Sequence, residues 1–263
     1  MTSFIRRILA FAALAVLALA GAASAAERRV VVADPAPPPA AGPLTGYLTT
    51  PAGAGPFPAI ALIHSCLGLP DNRAAFAATL ASWGYVALFV DEFAPRGLAE
   101  TCSVDFPVGP ADAAAALAFL ARQPFVDGRR LAVIGFSQGG DVALTLAASP
   151  PRGLRLRAAA AYYPPCANRQ GEALAVPTLV VVGAADSVTP AADCRTFVAA
   201  QPPSVARLVV LPGAGHLFDD PASAGGRVVL GMHFAYDGAA AARAEGELRR
   251  FLAKTLSRAG EGD

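Results

Sequence analysis

The chain has 263 residues, 54% of them hydrophobic and 16% charged. That balance excludes a disordered or low-complexity protein and allows one large α/β domain or two small ones. Twenty-one basic residues face 20 acidic ones, a formal net charge of +1, so the chain has no electrostatic footprint for nucleic acid or an anionic membrane.

In chain order, residues 1–25 come first. Arg6 and Arg7 make a positive start, 8–20 is an unbroken apolar run, and Ala23-Ser24-Ala25 has the A-x-A form of a cleavage site. This is the pattern of a secretory signal peptide, which is cut off and sends the mature chain to the periplasm or the exterior. A membrane anchor of nearly spanning length is the competing reading, and the small residues after Gly21 favour cleavage. Losing Arg6 and Arg7 takes the basic count from 21 to 19 against 20 acidic residues, a mature charge of −1.

Residues 26–43 read as a lead-in, rich in proline and alanine over 34–43. The remainder, 44–263, reads as one domain. Strands are predicted over 44–48, 59–63, 85–90, 131–134, 158–162, 178–182 and 207–211. Helices are predicted over 72–83, 111–122, 138–148, 191–200 and 239–258. The strands are continuous apolar runs, as expected when helices cover both faces of a sheet. The alternation predicts an α/β fold with a mostly parallel central sheet. The alanine-rich helix over 111–122 reads as packing alone, and the stretch around His233 fits no element.

Cys66, Cys102, Cys166 and Cys194 all lie in the exported part, and none shows C-x-x-C spacing. That speaks against a zinc or thioredoxin-like site and, with export, for disulfides. Of the three possible pairings, Cys66–Cys102 and Cys166–Cys194 are favoured because each pair follows neighbouring strands.

Gly135-Phe136-Ser137-Gln138-Gly139 stands between the apolar run 131–134 and a helix-type run. Strand, glycine-flanked serine and helix make the nucleophile elbow, which presents a serine hydroxyl at the carboxyl edge of the sheet. A serine needs a base and a carboxylate to orient that base. His216 lies in a glycine-rich loop after the last strand and is the candidate base. Asp186 follows the 178–182 strand by a short turn and is the candidate acid. Asp219 and Asp220 stand too close in sequence to His216 to clamp its ring, and Asp193 falls inside a helix. The order Ser137, Asp186, His216 is the nucleophile–acid–base order of α/β-hydrolases. Oxyanion donors are expected at the backbone N–H of Gln138 and, from the loop after 59–63, of Cys66. His64 in that loop reads as a stiffening residue and a candidate substrate contact. His233 reads as structural.

Several segments together resemble the dienelactone hydrolase family of α/β-hydrolases, in its exported branch. They are His64-Ser65-Cys66-Leu67-Gly68, Gly84-Tyr85, Asp91-Glu92-Phe93-Ala94-Pro95-Arg96-Gly97, 135–140, Tyr163-Pro164-Pro165-Cys166, Asp186 with Thr189-Pro190, and Gly213-Ala214-Gly215-His216-Leu217-Phe218. The resemblance implies an α/β-hydrolase fold and maps the family's nucleophile, base and acid onto Ser137, His216 and Asp186. It departs twice: the dienelactone type carries a cysteine nucleophile and an oxyanion-loop glutamate, where this chain has Ser137 and Ser65. Dienelactone therefore does not carry over as the substrate. Arg96 lies near the family's anion-binding arginine, offset from it, and reads either as a grip on a substrate carboxylate or as a solvated surface arginine.

The expected activity is hydrolysis of small esters or lactones without metal or cofactor. A peptidase, a thioesterase or a non-catalytic binding protein on the same scaffold are the alternatives. No nucleic acid partner is expected, nor a membrane once the signal is removed, and nothing bears on oligomeric state.

Overall fold

The computed structural model describes residues 27–32, 44–104, 106 and 109–257. The expected signal peptide and the proline-rich part of the lead-in lie outside the described residues. In chain order the elements are β1 (Glu27–Val32), β2 (Leu44–Thr49), β3 (Phe57–Ile63), α1 (Arg73–Ser82), β4 (Val86–Asp91), α2 (Gly109–Ala121), β5 (Val126–Phe136), α3 (Gln138–Ala148), β6 (Leu156–Tyr162), β7 (Thr178–Gly183), α4 (Ala191–Ala199), β8 (Ala206–Leu211), β9 (Arg227–Val229), β10 (Met232–Phe234) and α5 (Gly238–Thr255).

Eight strands form one sheet in the order β1-β2-β4-β3-β5-β6-β7-β8. The run from β4 to β8 is parallel, and β2 joins β4 antiparallel, with β1 antiparallel on its outer side. Alternate residues of each strand serve opposite faces, so two cores form. Ala59, Ala61 and Ile63 of β3 pack with Leu117, Leu144 and Phe197 from α2, α3 and α4. Ile60 and Leu62 pack with Leu80 of α1 and Leu248 and Leu252 of α5. The fold is a mostly parallel sheet covered by helices on both faces.

Three features differ from the sequence reading. Glu27–Val32, inside the expected lead-in, is an edge strand with Val30 and Val32 buried and its arginines outward. The unplaced stretch around His233 is an antiparallel hairpin of β9 and β10. Helix α2 does more than pack: its Asp112 is fully buried and ion-paired with Arg96, Nη1 to Oδ2 at 2.9 Å.

Candidate active site

Ser137 sits between β5 and α3 with φ 53° and ψ −113°, a conformation rare for any residue with a side chain. The surrounding backbone holds it there: the Ser137 N–H donates to the Tyr162 carbonyl of β6 at 2.9 Å. Gly139 must lack a side chain, because a Cβ there would strike the carbonyls of Ile63 and His64 at the end of β3. The elbow and the loop after β3 thus lie in backbone contact.

The base and acid loops are joined in the same way. Gly183 passes so near Ala214 that a Cβ would meet its carbonyl. The N–H groups of Ala184 and Ala185 donate to the carbonyls of Leu211 and Ala214 at 2.8 and 2.9 Å. This sewing brings together side chains 79 and 30 residues apart in sequence. His216 Nε2 lies 3.0 Å from Ser137 Oγ, and His216 Nδ1 lies 2.8 Å from Asp186 Oδ2. A carboxylate can only accept, so Nδ1 carries the hydrogen and the Nε2 lone pair faces the serine.

Asp186 is itself held. Its Oδ1 accepts from the N–H groups of Val188 and Thr189, each at 2.8 Å, and its Oδ2 lies 2.9 Å from Thr189 Oγ1. Burial alone would raise its pKa, but the hydrogen bond and charge of His216 and the Thr189 donors outweigh burial and hold the carboxyl below its usual range. All three side chains are buried. An arrangement of this kind can move a proton from a hydroxyl to an imidazole and back.

The oxyanion candidates occupy facing segments. Among the described residues, no hydrogen bond uses the backbone N–H of Cys66 or of Gln138. A third segment ties the two together. Thr101, 1% exposed, donates its N–H to the Cys66 carbonyl at 2.8 Å and its hydroxyl to Gln138 Oε1 at 2.8 Å. The next residue, Cys102, is disulfide-bonded to Cys66. The second disulfide, Cys166–Cys194, joins the segment after β6 to α4. Thr101 was not singled out in the sequence, because a lone threonine in a loop carries no pattern.

His64 is buried with both ring nitrogens committed: Nδ1–H donates to the Ser65 carbonyl at 2.8 Å and Nε2 accepts from the Glu92 N–H at 3.3 Å. Burial pushes its pKa down to about 4, so the ring is neutral. Arg96 is neither solvated nor turned toward substrate. Its guanidinium donates to Asp112 Oδ1 at 3.0 Å and to the Glu92 carbonyl at 2.6 Å, and its side chain is 8% exposed. A buried carboxylate one helix away draws it inward, which overturns both readings of this residue. His233 is exposed on β10, and its neighbour Phe234 forms a backbone bridge with His216.

A cavity of about 310 Å³ is walled by chain neighbours of the serine and the histidine. Its wall includes Phe136, which precedes Ser137, and Leu217, which follows His216, with Ser65 and Leu67 from the loop after β3. Among the described residues, no group of three His, Cys, Asp or Glu side chains could hold a metal ion, and no helix is long and apolar enough to cross a membrane.

A parallel sheet carrying a strained serine at a strand–helix elbow, hydrogen-bonded to a histidine on a later loop, defines a hydrolase of the α/β-hydrolase fold. The dienelactone hydrolase family model matches residues 44–256. An uncharacterized protein of Mycobacterium tuberculosis is 32% identical over 209 residues, 71% of this chain and 72% of its own length. Among solved structures, a dienelactone hydrolase-like promiscuous phosphotriesterase from metagenomic libraries superposes with a TM-score of 0.71 at 25% identity, covering 89% of this chain and all of that one (100%). The thermophilic esterase Est2 of Thermogutta terrifontis shares the fold with a TM-score of 0.65 at 19% identity, over 92% of this chain and 96% of its own. The chain belongs to the dienelactone hydrolase family, and is a carboxylic ester hydrolase.

Proposed function

We propose that the protein is an exported serine hydrolase that cleaves small carboxylic esters or lactones through an acyl-enzyme. Ser137 Oγ attacks the carbonyl carbon while His216 Nε2 takes its proton. Asp186 keeps the ring oriented and balances the positive charge it gains. The N–H groups of Cys66 and Gln138 hold the oxyanion. Collapse of the tetrahedral adduct expels the alcohol oxygen, which takes the proton back from His216. Water then attacks the acyl-enzyme with His216 as base, and the acid leaves. No metal or cofactor is called for at any step.

The observation that carries this reading is the unbroken hydrogen-bonded line from Ser137 Oγ through His216 to Asp186 Oδ2, at 3.0 and 2.8 Å. Export rests on Arg6, Arg7, the apolar 8–20 run and Ala23-Ser24-Ala25, with 1–25 as the leader and 44–263 as the catalytic domain. Two disulfides fit an oxidising compartment outside the cytoplasm, periplasmic or secreted. Cys66, Cys102, Cys166 and Cys194 serve there as staples.

A fluorophosphonate probe tests the nucleophile: the folded protein is expected to be labelled at Ser137, and the Ser137→Ala protein not at all. Turnover of p-nitrophenyl esters of graded chain length, run beside lactones, should be abolished with it. Labelling absent from folded wild-type protein would leave a binding protein. Faster cleavage of matched amides or thioesters than of esters would make it a peptidase or thioesterase.

A further inference from the structure

The cavity walled by Phe136 and Leu217 is lined by aromatic rings and carboxylates. Phe76, Phe89, Phe136 and Tyr163 supply aromatic surface, with Phe76 and Phe136 set edge-to-face at 5.5 Å and Phe136 and Tyr163 tilted at 6.4 Å. The charged groups facing the same space are Asp71, Asp219, Asp220 and Arg227. Among the described lining residues Arg227 is the only lysine or arginine, and its guanidinium is bonded to Asp220 at 3.2 Å. That pair cancels, and Asp71 and Asp219 remain as net negative charge. The other arginine considered for gripping an anion, Arg96, is turned away into its pair with Asp112.

Asp219 is the better placed carboxylate. It lies three residues after His216, its Oδ1 accepts from Tyr163 Oη at 2.7 Å, and its carbonyl accepts from Asn72 Nδ2 at 3.1 Å. Tyr163 in turn packs its ring 4.6 Å from His216. A carboxylate is therefore fixed in the wall of an aromatic cavity that is also walled by Phe136 and Leu217, the chain neighbours of Ser137 and His216. Aromatic faces attract cations through their quadrupoles, and a fixed carboxylate adds a partner charge that is screened less inside a cavity than at a surface.

We propose, resting on the ester-hydrolase reading above, that this cavity takes a quaternary or protonated ammonium group of the substrate against Asp219 and the aromatic wall. The protein then hydrolyses cationic esters ahead of their neutral isosteres and disfavours esters carrying a carboxylate.

The preference should also depend on pH. Desolvation in the cavity wall pushes the Asp219 pKa up to about 6, with the Tyr163 hydrogen bond opposing that rise. Asp220 raises it further and His216 lowers it. Asp71 and Arg227 face it across the cavity, and His64 there is neutral. Above about pH 6 the carboxylate is charged and the cationic ester gains. Below it the carboxyl is neutral and the gain disappears.

Two isosteric pairs test this whichever end of the ester fills the cavity: acetylcholine against 3,3-dimethylbutyl acetate, and betaine ethyl ester against ethyl 3,3-dimethylbutanoate. After each value is divided by that ester's rate constant with hydroxide, which removes the inductive activation by the ammonium group, the cationic member of at least one pair is expected to show a kcat/KM about tenfold higher, equivalent to about 1.4 kcal/mol. Monoethyl succinate should be slower than ethyl butanoate. The Asp219→Asn protein, which keeps an acceptor for Tyr163, should lose the cation preference and its pH dependence. Asp71→Asn, an exposed change at the rim, should weaken the preference in part. Equal or lower values for both cationic esters, with the neutral ones turned over, overturn the proposal. Calorimetry with Ser137→Ala protein separates this failure from failure of the catalytic reading: tighter binding of the cationic ester than of its isostere supports the cavity's role even where no ester is cleaved, and indifference there overturns it.

Discussion

Thr101 is bonded to both candidate oxyanion segments without supplying either amide. Its backbone N–H and hydroxyl hold the Cys66 carbonyl and the Gln138 side chain, so it fixes the distance between the two segments that carry the free amides. Losing an oxyanion donor outright costs about 10²–10³ in kcat; loosening the spacing should cost less. Thr101→Val is expected to lower kcat on p-nitrophenyl acetate about tenfold with KM little changed, since an interaction felt only in the transition state does not move ground-state binding. Thr101→Ser, which keeps the hydroxyl, should restore most of the loss. A matched fall in kcat and rise in KM, unrelieved by serine, would make Thr101 a packing residue. That Ser137, Asp186 and His216 meet in one hydrogen-bonded line could be read from the chain because their order and their positions after strands are themselves the pattern. Thr101 could not, because its partners are 35 to 37 residues away and its role exists only once the loops meet. Arg96 misled for a related reason: its partner Asp112 sits in a helix whose alanines give no sign that a charge is buried among them.

Among the elements, the parallel strands from β3 to β8 and the five helices follow from apolar runs and their lengths, so their positions were legible to within a few residues, except that β5 begins five residues before its apolar run, at Val126. The strands that were not legible are those without such runs. β1 opens on Glu27-Arg28-Arg29, leaving only three valines of which Val30 and Val32 are buried, and the proline-rich stretch after it makes the whole segment read as lead-in. The β9–β10 hairpin has three residues per strand and turns at Leu230 and Gly231, both with positive φ. It still matters to the site, since Arg227 and Val229 wall the cavity and Phe234 bridges to His216. The disulfides divide their work between such elements. Cys66–Cys102 closes the segment that carries a candidate oxyanion donor, whereas Cys166–Cys194 ties the end of β6 to α4, behind the acid loop. Replacing Cys166 and Cys194 by alanine reopens a loop of 28 residues, and chain entropy puts the loss at about 3–4 kcal/mol. The paired replacement of Cys66 and Cys102 should cost similar stability and in addition lower kcat at temperatures where the protein is folded. Urea melts and steady-state kinetics on both variants check this; equal kcat in the two would remove the oxyanion loop's dependence on its staple.

Across the whole molecule, the sheet edge rests on a buried polar layer in which His64, Glu92, Arg96 and Asp112 link the ends of β3 and β4 to α2. Such a layer makes stability depend on pH, and its members pull in opposite directions. Burial, with the charges of Asp112 and Asp91, raises the Glu92 carboxyl well above its usual range although Arg96 opposes this, and burial brings Asp219 to about 6. As pH falls, these two groups take up protons in the folded state before they do in the unfolded chain, which stabilises the fold. His64 does the reverse. Its folded pKa of about 4 lies below the usual 6.5, so between those values the unfolded chain binds a proton that the folded protein refuses. Stability from this group is full above about 6.5 and declines as pH drops toward 4, by about 3 kcal/mol in all. The net curve of the wild-type protein hides these opposing terms, but a single substitution separates them. His64→Gln keeps one donor for the Ser65 carbonyl and one acceptor for the Glu92 N–H, and cannot take up the proton. Urea melts of the two proteins over that pH window should show the wild type losing about 3 kcal/mol relative to the variant, with the curves running parallel above it. Parallel curves throughout would mean that the folded protein accepts the proton at His64, and that the layer beneath the oxyanion loop is open to water.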